Sequence, residues 1–352
     1  MARWRDKAID AGMRLFRASG AHKLAEPYTR GLGAILMFHR VRPRLPEAFE
    51  PNQPLEITPE FLSALLEHLR SRQYDIISLD LALERLRGGP GPDAPFVVLT
   101  FDDGYRDFVE FALPVLERNG APFVAYVTSG FADGSARLWW VELEEAIRRL
   151  DRIDLVAAGR RFVRESRSAL EKTEAFAALY WLLRAGPEEE LLRVASELCR
   201  QASIETRALT SSLCLDWDEL RELARCELAT IGTHTATHPR LAKLDRASAL
   251  HEMREGRLAV ERELGLETWH FCYPVGDPTS AGKREFDLAA ELGFESAVTT
   301  RPGMIFPQHR DHLFALPRLS INGRHQDLEE VDILLSGLPF GLMNLGRRLN
   351  VA

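Results

Sequence analysis

Cysteine is scarce in this chain and never closely paired: Cys199, Cys214, Cys226 and Cys272 are the 4 in 352 residues, with no Cys-x-x-Cys spacing among them. That excludes a thiolate zinc site and a disulfide framework, and leaves buried free thiols. Basic charge is also short. Lysine and arginine number 45 against 52 acidic residues, a formal net charge of -7, whereas a general nucleic-acid binder needs a basic face to neutralise phosphate; no nucleic-acid partner is expected. Nor does any run approach the roughly 18 apolar residues of a spanning helix. Residues 1–24 intersperse Arg3, Arg5, Lys7, Arg14 and Arg17 with Trp4, Ile9, Met13, Leu15 and Phe16, so the unbroken apolar stretch of a signal peptide is missing. The spacing instead predicts a basic amphipathic helical lead over residues 1–32, suited either to an anionic membrane surface or to docking on its own domain. The expected location is the cytoplasm, with peripheral membrane contact through that lead as a second option. No internal repeat, no low-complexity tract and no signal for an oligomer is present.

What is present is a soluble globular composition, 45% hydrophobic and 28% charged, in a chain long enough for one barrel-sized domain or two smaller ones. Short apolar runs rich in β-formers alternate with helical patterns: Gly33–Phe38, Ile76–Leu79, Val97–Phe101 and Phe123–Val127, then Ala229–Thr233, Trp269–Tyr273, Ser296–Thr299 and Leu316–Ile321. Such alternation points to parallel strands joined by helical crossovers, an α/β class. Thr58-Pro59 opens one of the helices, with Thr58 as cap and Pro59 in the first turn. Between about 139 and 222 the pattern turns long, charged and mainly helical, with one weak strand candidate at Arg161-Phe162-Val163. This reads as an insertion at 139–222 within a domain spanning 33–330, followed by a C-terminal tail at 331–352.

Three strand exits carry chemistry. Val97 to Phe101 ends on Asp102-Asp103-Gly104. Adjacent side chains on extended backbone point opposite ways, so the two acids converge only if the chain turns, which Gly104 permits; one acid can then hold a metal while its neighbour handles a proton. Asp-Asp-Gly is also ordinary turn chemistry. His234 and His238 stand four apart before Pro239; a single helical turn would aim both imidazoles at one cation, with Pro239 stopping it. Two imidazoles and a carboxylate leave coordination positions open for water and substrate. His39 ends the run Gly33–Phe38, a position that by itself is more often structural.

Thr100-Phe101-Asp102-Asp103-Gly104-Tyr105 followed by His234-Thr235-Ala236-Thr237-His238 resembles the first two signature motifs of the polysaccharide deacetylases, the family 4 carbohydrate esterases. Phe271-Cys272-Tyr273-Pro274-Val275-Gly276 resembles the third. The resemblance implies a distorted (β/α) barrel with its site at the C-terminal ends of the strands, and removal of N-acetyl groups from an N-acetylated glycan, as in exopolysaccharide or cell-envelope assembly. By the family pattern Asp103, His234 and His238 hold a divalent metal, commonly zinc, Asp102 is the general base, and the backbone N–H of Val275 faces the oxyanion, with Tyr273 and Pro274 supporting that loop. Two departures stand out. Cys272 occupies the place of the arginine that orients the base, with Arg318 as a candidate replacement. The late Leu-x-His that supplies the acid is missing, and His325 lacks its apolar approach; a rearranged motif order puts His39 in that role. Catalytic loss on the same fold, leaving a glycan-binding protein, is the alternative these departures motivate, and deacylation of a smaller amide is a third reading. Trp139 and Trp140 suit either sugar stacking or core packing. Glu142, Glu144 and Glu145 are expected on a solvated helix face, and His251 and His270 in structural or exposed places.

Overall fold

The computed structural model of the chain describes residues 2–44, 46–88, 94–324 and 326–351. His325 and most of the Gly88–Gly91 loop lie outside the described residues. The centre is one parallel sheet of eight strands: β1 (Gly33–Phe38), β2 (Asp75–Ile76), β3 (Phe96–Phe101), β4 (Phe123–Val127), β5 (Ala229–Thr233), β6 (His270–Cys272), β7 (Ser296–Val298) and β8 (Leu319–Ser320). Their order is β7-β6-β5-β4-β3-β1-β8, with β2 beside the start of β3, and the sheet curls into a half-barrel flanked by helices. Every residue of β1, β3 and β4 is buried, as expected for strands covered on both faces. Gly33 starts β1 because nothing larger fits: a Cβ there would lie 2.1 Å from the Phe96 carbonyl oxygen.

The two free edges nearly meet. Leu316 bridges Val298 of β7, while Leu319 of β8 pairs with Leu36 of β1, so the six residues 316–321 span the gap between the sheet's ends. Because every strand runs the same way, all the loops that follow them gather at one end, where the sheet's right-handed crossovers leave a crevice.

The 139–222 region contains helices Trp139–Arg149, Ala169–Ala185, Glu188–Gln201, Thr206–Leu213 and Trp217–Leu223. It also contains more strand than the sequence suggested: Arg152–Ala157 and Arg160–Glu165 form an antiparallel hairpin. Ile153, Leu155 and Ala157 point inward and join a second hydrophobic cluster with Leu143, Leu179 and Leu198. Thr58 caps the helix Pro59–Ser71, its hydroxyl accepting from the Phe61 N–H at 3.1 Å. The lead forms two helices, Ala2–Ser19 and Ala21–Thr29; Arg17 pairs with Asp327 at 2.9 Å and Glu329 at 3.1 Å, docking it near the helix Leu328–Leu335, which runs across position 330. Among the described residues no helix is long and apolar enough to cross a membrane.

Candidate active site

The convergence of Asp102 and Asp103 is a backbone event. Asp103 (φ 72°) and Gly104 (φ 71°) both take left-handed conformations straight after β3, which swings the second carboxylate back to the side of the first. The histidines are brought together in the same way, and here the expected single helical turn is wrong. Thr235 (φ 67°) and His238 (φ 63°) are both left-handed, and the Thr235 hydroxyl accepts from the His238 N–H at 3.0 Å. A tight loop with two strained residues, not a helix, puts the rings 4.8 Å apart. Val275, a β-branched residue at φ 63°, is a fourth case. Such conformations cost of order 1–3 kcal/mol each and persist only where surrounding packing dictates them.

The His234 Nδ1 contacts the Cys272 carbonyl oxygen at 2.7 Å. A carbonyl only accepts, so Nδ1 carries the proton and Nε2 presents its lone pair. That Nε2 lies 3.4 Å from Asp103 Oδ1, and the His238 Nε2 lies 3.3 Å from the same oxygen. Oδ1 is buried with no hydrogen-bond partner. A carboxylate oxygen and two imidazole nitrogens, all within 4.8 Å of one another and closed off from bulk water, form the donor set that a divalent cation requires; these residues fit a metal. Asp102, His234 and Cys272 form a second close group, but it suits a cation poorly because the Arg318 guanidinium lies 3.1 Å from the Cys272 sulfur.

That guanidinium belongs to the Asp102 carboxylate. Arg318 Nη1 and Nη2 donate to its two oxygens at 2.7 Å each, Nη1 also donates to the Thr100 hydroxyl at 3.0 Å, and Nε donates to the Thr299 carbonyl at 3.0 Å. Both side chains are buried. Burial alone would raise the Asp102 pKa; the paired guanidinium outweighs it and holds the carboxyl below its ordinary value. Burial pushes the Cys272 thiol up, so it is a neutral thiol, 3.5 Å from Asp102 Oδ2, that accepts from Arg318 Nη2 at 3.1 Å beside the carboxylate.

A cavity of about 610 Å³ opens above these groups. His39, Asp102, Asp103, Trp140, His234, His238 and Val275 all line it. Burial lowers the His39 pKa, with the Asp103 and Asp102 carboxylates pulling the other way. Among the described residues the Val275 N–H donates to no protein acceptor, while its carbonyl is fixed by the Thr300 hydroxyl at 2.7 Å. Tyr273 stands apart, its hydroxyl donating to the Phe314 carbonyl at 2.9 Å within the core. The Pro274 carbonyl accepts from the Gly276 N–H at 2.7 Å and tightens the loop. Trp140 is buried, its ring 4.9 Å from that of His238 and its indole N–H donating to the Tyr105 hydroxyl at 3.0 Å.

Glu142 corrects the expectation of a solvated face: it is buried and paired with Arg137 at 2.6 Å. Glu144 is also bound, accepting from the Asn52 amide at 2.7 Å. His270 is buried between Ser296 and Asp80, and His251 is exposed. The sequence reading missed one wall of the cavity, lined by Phe176, Tyr180, Trp181 and Arg184 of the helix Ala169–Ala185. Their spacing of three and four was the available signal.

The sequence model of the polysaccharide deacetylase family matches residues 90–297. Solved structures with a similar fold include the Streptococcus pyogenes deacetylase PplD in complex with acetate, at 18% identity and TM-score 0.57 over 86% of this chain and 97% of that one. IcaB from Ammonifex degensii matches at 18% and 0.54 over 87% and 98%. The BpsB deacetylase domain from Bordetella bronchiseptica matches at 16% and 0.51 over 82% and 95%. No curated protein sequence matches the chain.

Proposed function

The chain belongs to the polysaccharide deacetylase family of enzymes, and from that premise we propose that it removes N-acetyl groups from an N-acetylated glycan by metal-assisted hydrolysis. One observation carries this: the partnerless Asp103 oxygen facing two imidazole nitrogens, in the same cavity as an arginine-clamped second carboxylate. A divalent cation held by Asp103, His234 and His238, zinc by the choice of ligands, would supply Lewis acidity at the acetamide carbonyl and lower the pKa of attacking water from about 15.7 toward 7.

The protein's own groups do the rest. Asp102, kept ionised and in one orientation by Arg318, accepts a proton from the attacking water. The unengaged Val275 N–H donates to the developing oxyanion, its left-handed conformation fixed before substrate arrives. His39, at the exit of β1, is the group placed to hand a proton to the leaving amine in its protonated form, which the Asp103 and Asp102 carboxylates favour against burial. Asp102 then releases the water's proton and His39 takes one up as the site resets. Trp140 and the loop of Tyr273 and Pro274 hold His238 and Val275 in place. The reading of a glycan binder without catalysis is motivated by Cys272 and by the missing late Leu-x-His; the bidentate guanidinium on Asp102 answers the first, and acetate release tests the second through His39. We assign the activity to exopolysaccharide or cell-envelope synthesis, where N-acetylated glycans are the material to be processed. We place the chain in the cytoplasm, with contact of its basic lead to a membrane surface as a second option.

The experiment is acetate release from an N-acetylglucosamine oligomer, with metal content measured on the same sample. Release that chelation and Asp102→Asn both abolish supports the proposal; release unaffected by either overturns it.

A further inference from the structure

A helix outside the barrel lines the same cavity as the metal-ligand triad, joined to it by the ring contacts of Tyr180 with Trp139, Trp139 with Trp140 and Trp140 with His238. Thr173, Phe176, Ala177, Tyr180, Trp181 and Arg184 fall on one stripe of Ala169–Ala185 and all line the cavity. Within the stripe the aromatics are stacked in series. Tyr180 lies between Trp139 (5.2 Å, 27°) and Phe176 (5.5 Å, 19°). Trp181 meets Tyr180 edge-on at 5.3 Å and 87°, so its plane is set by a packed neighbour, yet 53% of it is exposed.

The wall is tied to the chemistry at its C-terminal end. Arg184 donates to Asp277 at 2.7 Å, two residues beyond Val275. Arg240, two residues beyond His238, donates to the Leu183, Arg184 and Gly186 carbonyls around the helix's C-terminal end, and to Glu188 at 2.7 Å. The indole is therefore held at a fixed offset from the His238 and Val275 loops. A pyranose ring has an apolar C–H face rimmed with hydroxyls, which suits an amphipathic aromatic surface wet on one side. The cavity, about 610 Å³, is in the range of about 300–1,000 Å³ that encloses a drug-sized ligand.

We propose that Trp181 is the stacking platform for a sugar ring adjacent to the one that loses its acetyl group, so that the site selects a glycan chain over a single sugar. The choice of ligand rests on the deacetylase reading; the binding measurement does not depend on turnover. With N-acetylglucosamine and its oligomers up to the hexamer, the ratio of kcat/KM for hexamer to that for monomer is expected to fall about tenfold in Trp181→Ala, mostly through KM, and to recover in Trp181→Phe. Trp269→Ala, which removes an indole 41% exposed on the edge of the barrel, leaves that ratio unchanged. Hexamer binding, followed by tryptophan fluorescence and calorimetry on Asp102→Asn protein, weakens by the same factor in the Trp181→Ala background. An unchanged ratio and unchanged binding overturn the proposal. Length-dependent binding that requires Trp181, without acetate release by the wild type, upholds the platform and overturns the deacetylase reading instead.

Discussion

Replacing Arg318 by methionine should reverse the pH dependence of stability at Asp102. In the wild type the Asp102 carboxyl is held below its ordinary value by Arg318 against the pull of burial. Its stabilising contribution is therefore complete above the unfolded-state pKa of about 3.9 and is lost only as pH falls through the lower folded value. In Arg318→Met the same carboxyl stays buried with, among the described residues, only the Cys272 thiol, 3.5 Å away, as a side-chain donor, so burial wins and the folded pKa rises above about 3.9. The variant is then least affected below about pH 4 and loses about 1.4 kcal/mol for each pH unit above that until the raised pKa is passed. At pH 8 the loss should reach about 3–5 kcal/mol, the usual result of stripping one partner from a buried ion pair. Urea denaturation of chelator-treated protein at pH 5 and pH 8 measures it, with Asp102→Asn and the double variant completing a cycle. The double variant should be more stable at pH 8 than Arg318→Met alone, since it strands no charge. Activity of Arg318→Met should drop by about a hundredfold or more, as the base loses both its charge and its orientation. Equal losses at the two pH values, with a coupling energy near zero in the cycle, would refute the reasoning.

Asp103→Ala should leave the fold intact but reduce bound metal, measured by elemental analysis, to a trace and acetate release to background. Gly256→Ala is expected to act at a distance: its Cβ would stand 2.3 Å from the Thr235 carbonyl carbon, so the histidine loop must move and metal affinity should fall about 10–100-fold by competition with a chromogenic chelator. Val275→Gly relieves a β-branched residue at φ 63° and keeps the N–H, so acetate release should persist while urea denaturation shows a gain of about 1 kcal/mol. Cys272→Arg placed in the Arg318→Met background should restore part of the lost kcat, because that position lies beside Asp102 Oδ2; no recovery in kinetic assays would mean that a guanidinium must approach from the 318 side.

Much of the site was legible because strands announce their own ends. The runs before His39 and before Asp102 are largely apolar, the one before His234 is shorter and mixed with threonine and glycine, and each stops on a residue that reaches the cavity. The form of the turns was not legible. Spacing of four between His234 and His238 has a helical solution and a strained-loop solution, and the second is held by partners far along the chain, among them the close approach of Gly256 to Thr235 and the Ala236 N–H donating to the Glu252 carbonyl. The hairpin at 152–165 hid behind charge: its inward residues alternate, but the arginines and glutamates between them read as helical surface. Glu142 was misplaced because its partner Arg137 sits just before the helix, where one-dimensional patterns register no pair. The Arg318–Asp102 clamp joins residues 216 apart, a distance at which only folded topology decides who meets whom.

The stretch 316–321 has a consequence for how the enzyme comes into being. Since it joins the sheet's two margins and also carries the guanidinium, the last stitch of the barrel and the ionisation of Asp102 are one event. A chain still awaiting that stitch could already gather its three metal ligands, yet its acid would sit protonated in an oily recess. Closure and competence are therefore coupled, so that a molecule whose margins are not joined is silent rather than sloppy.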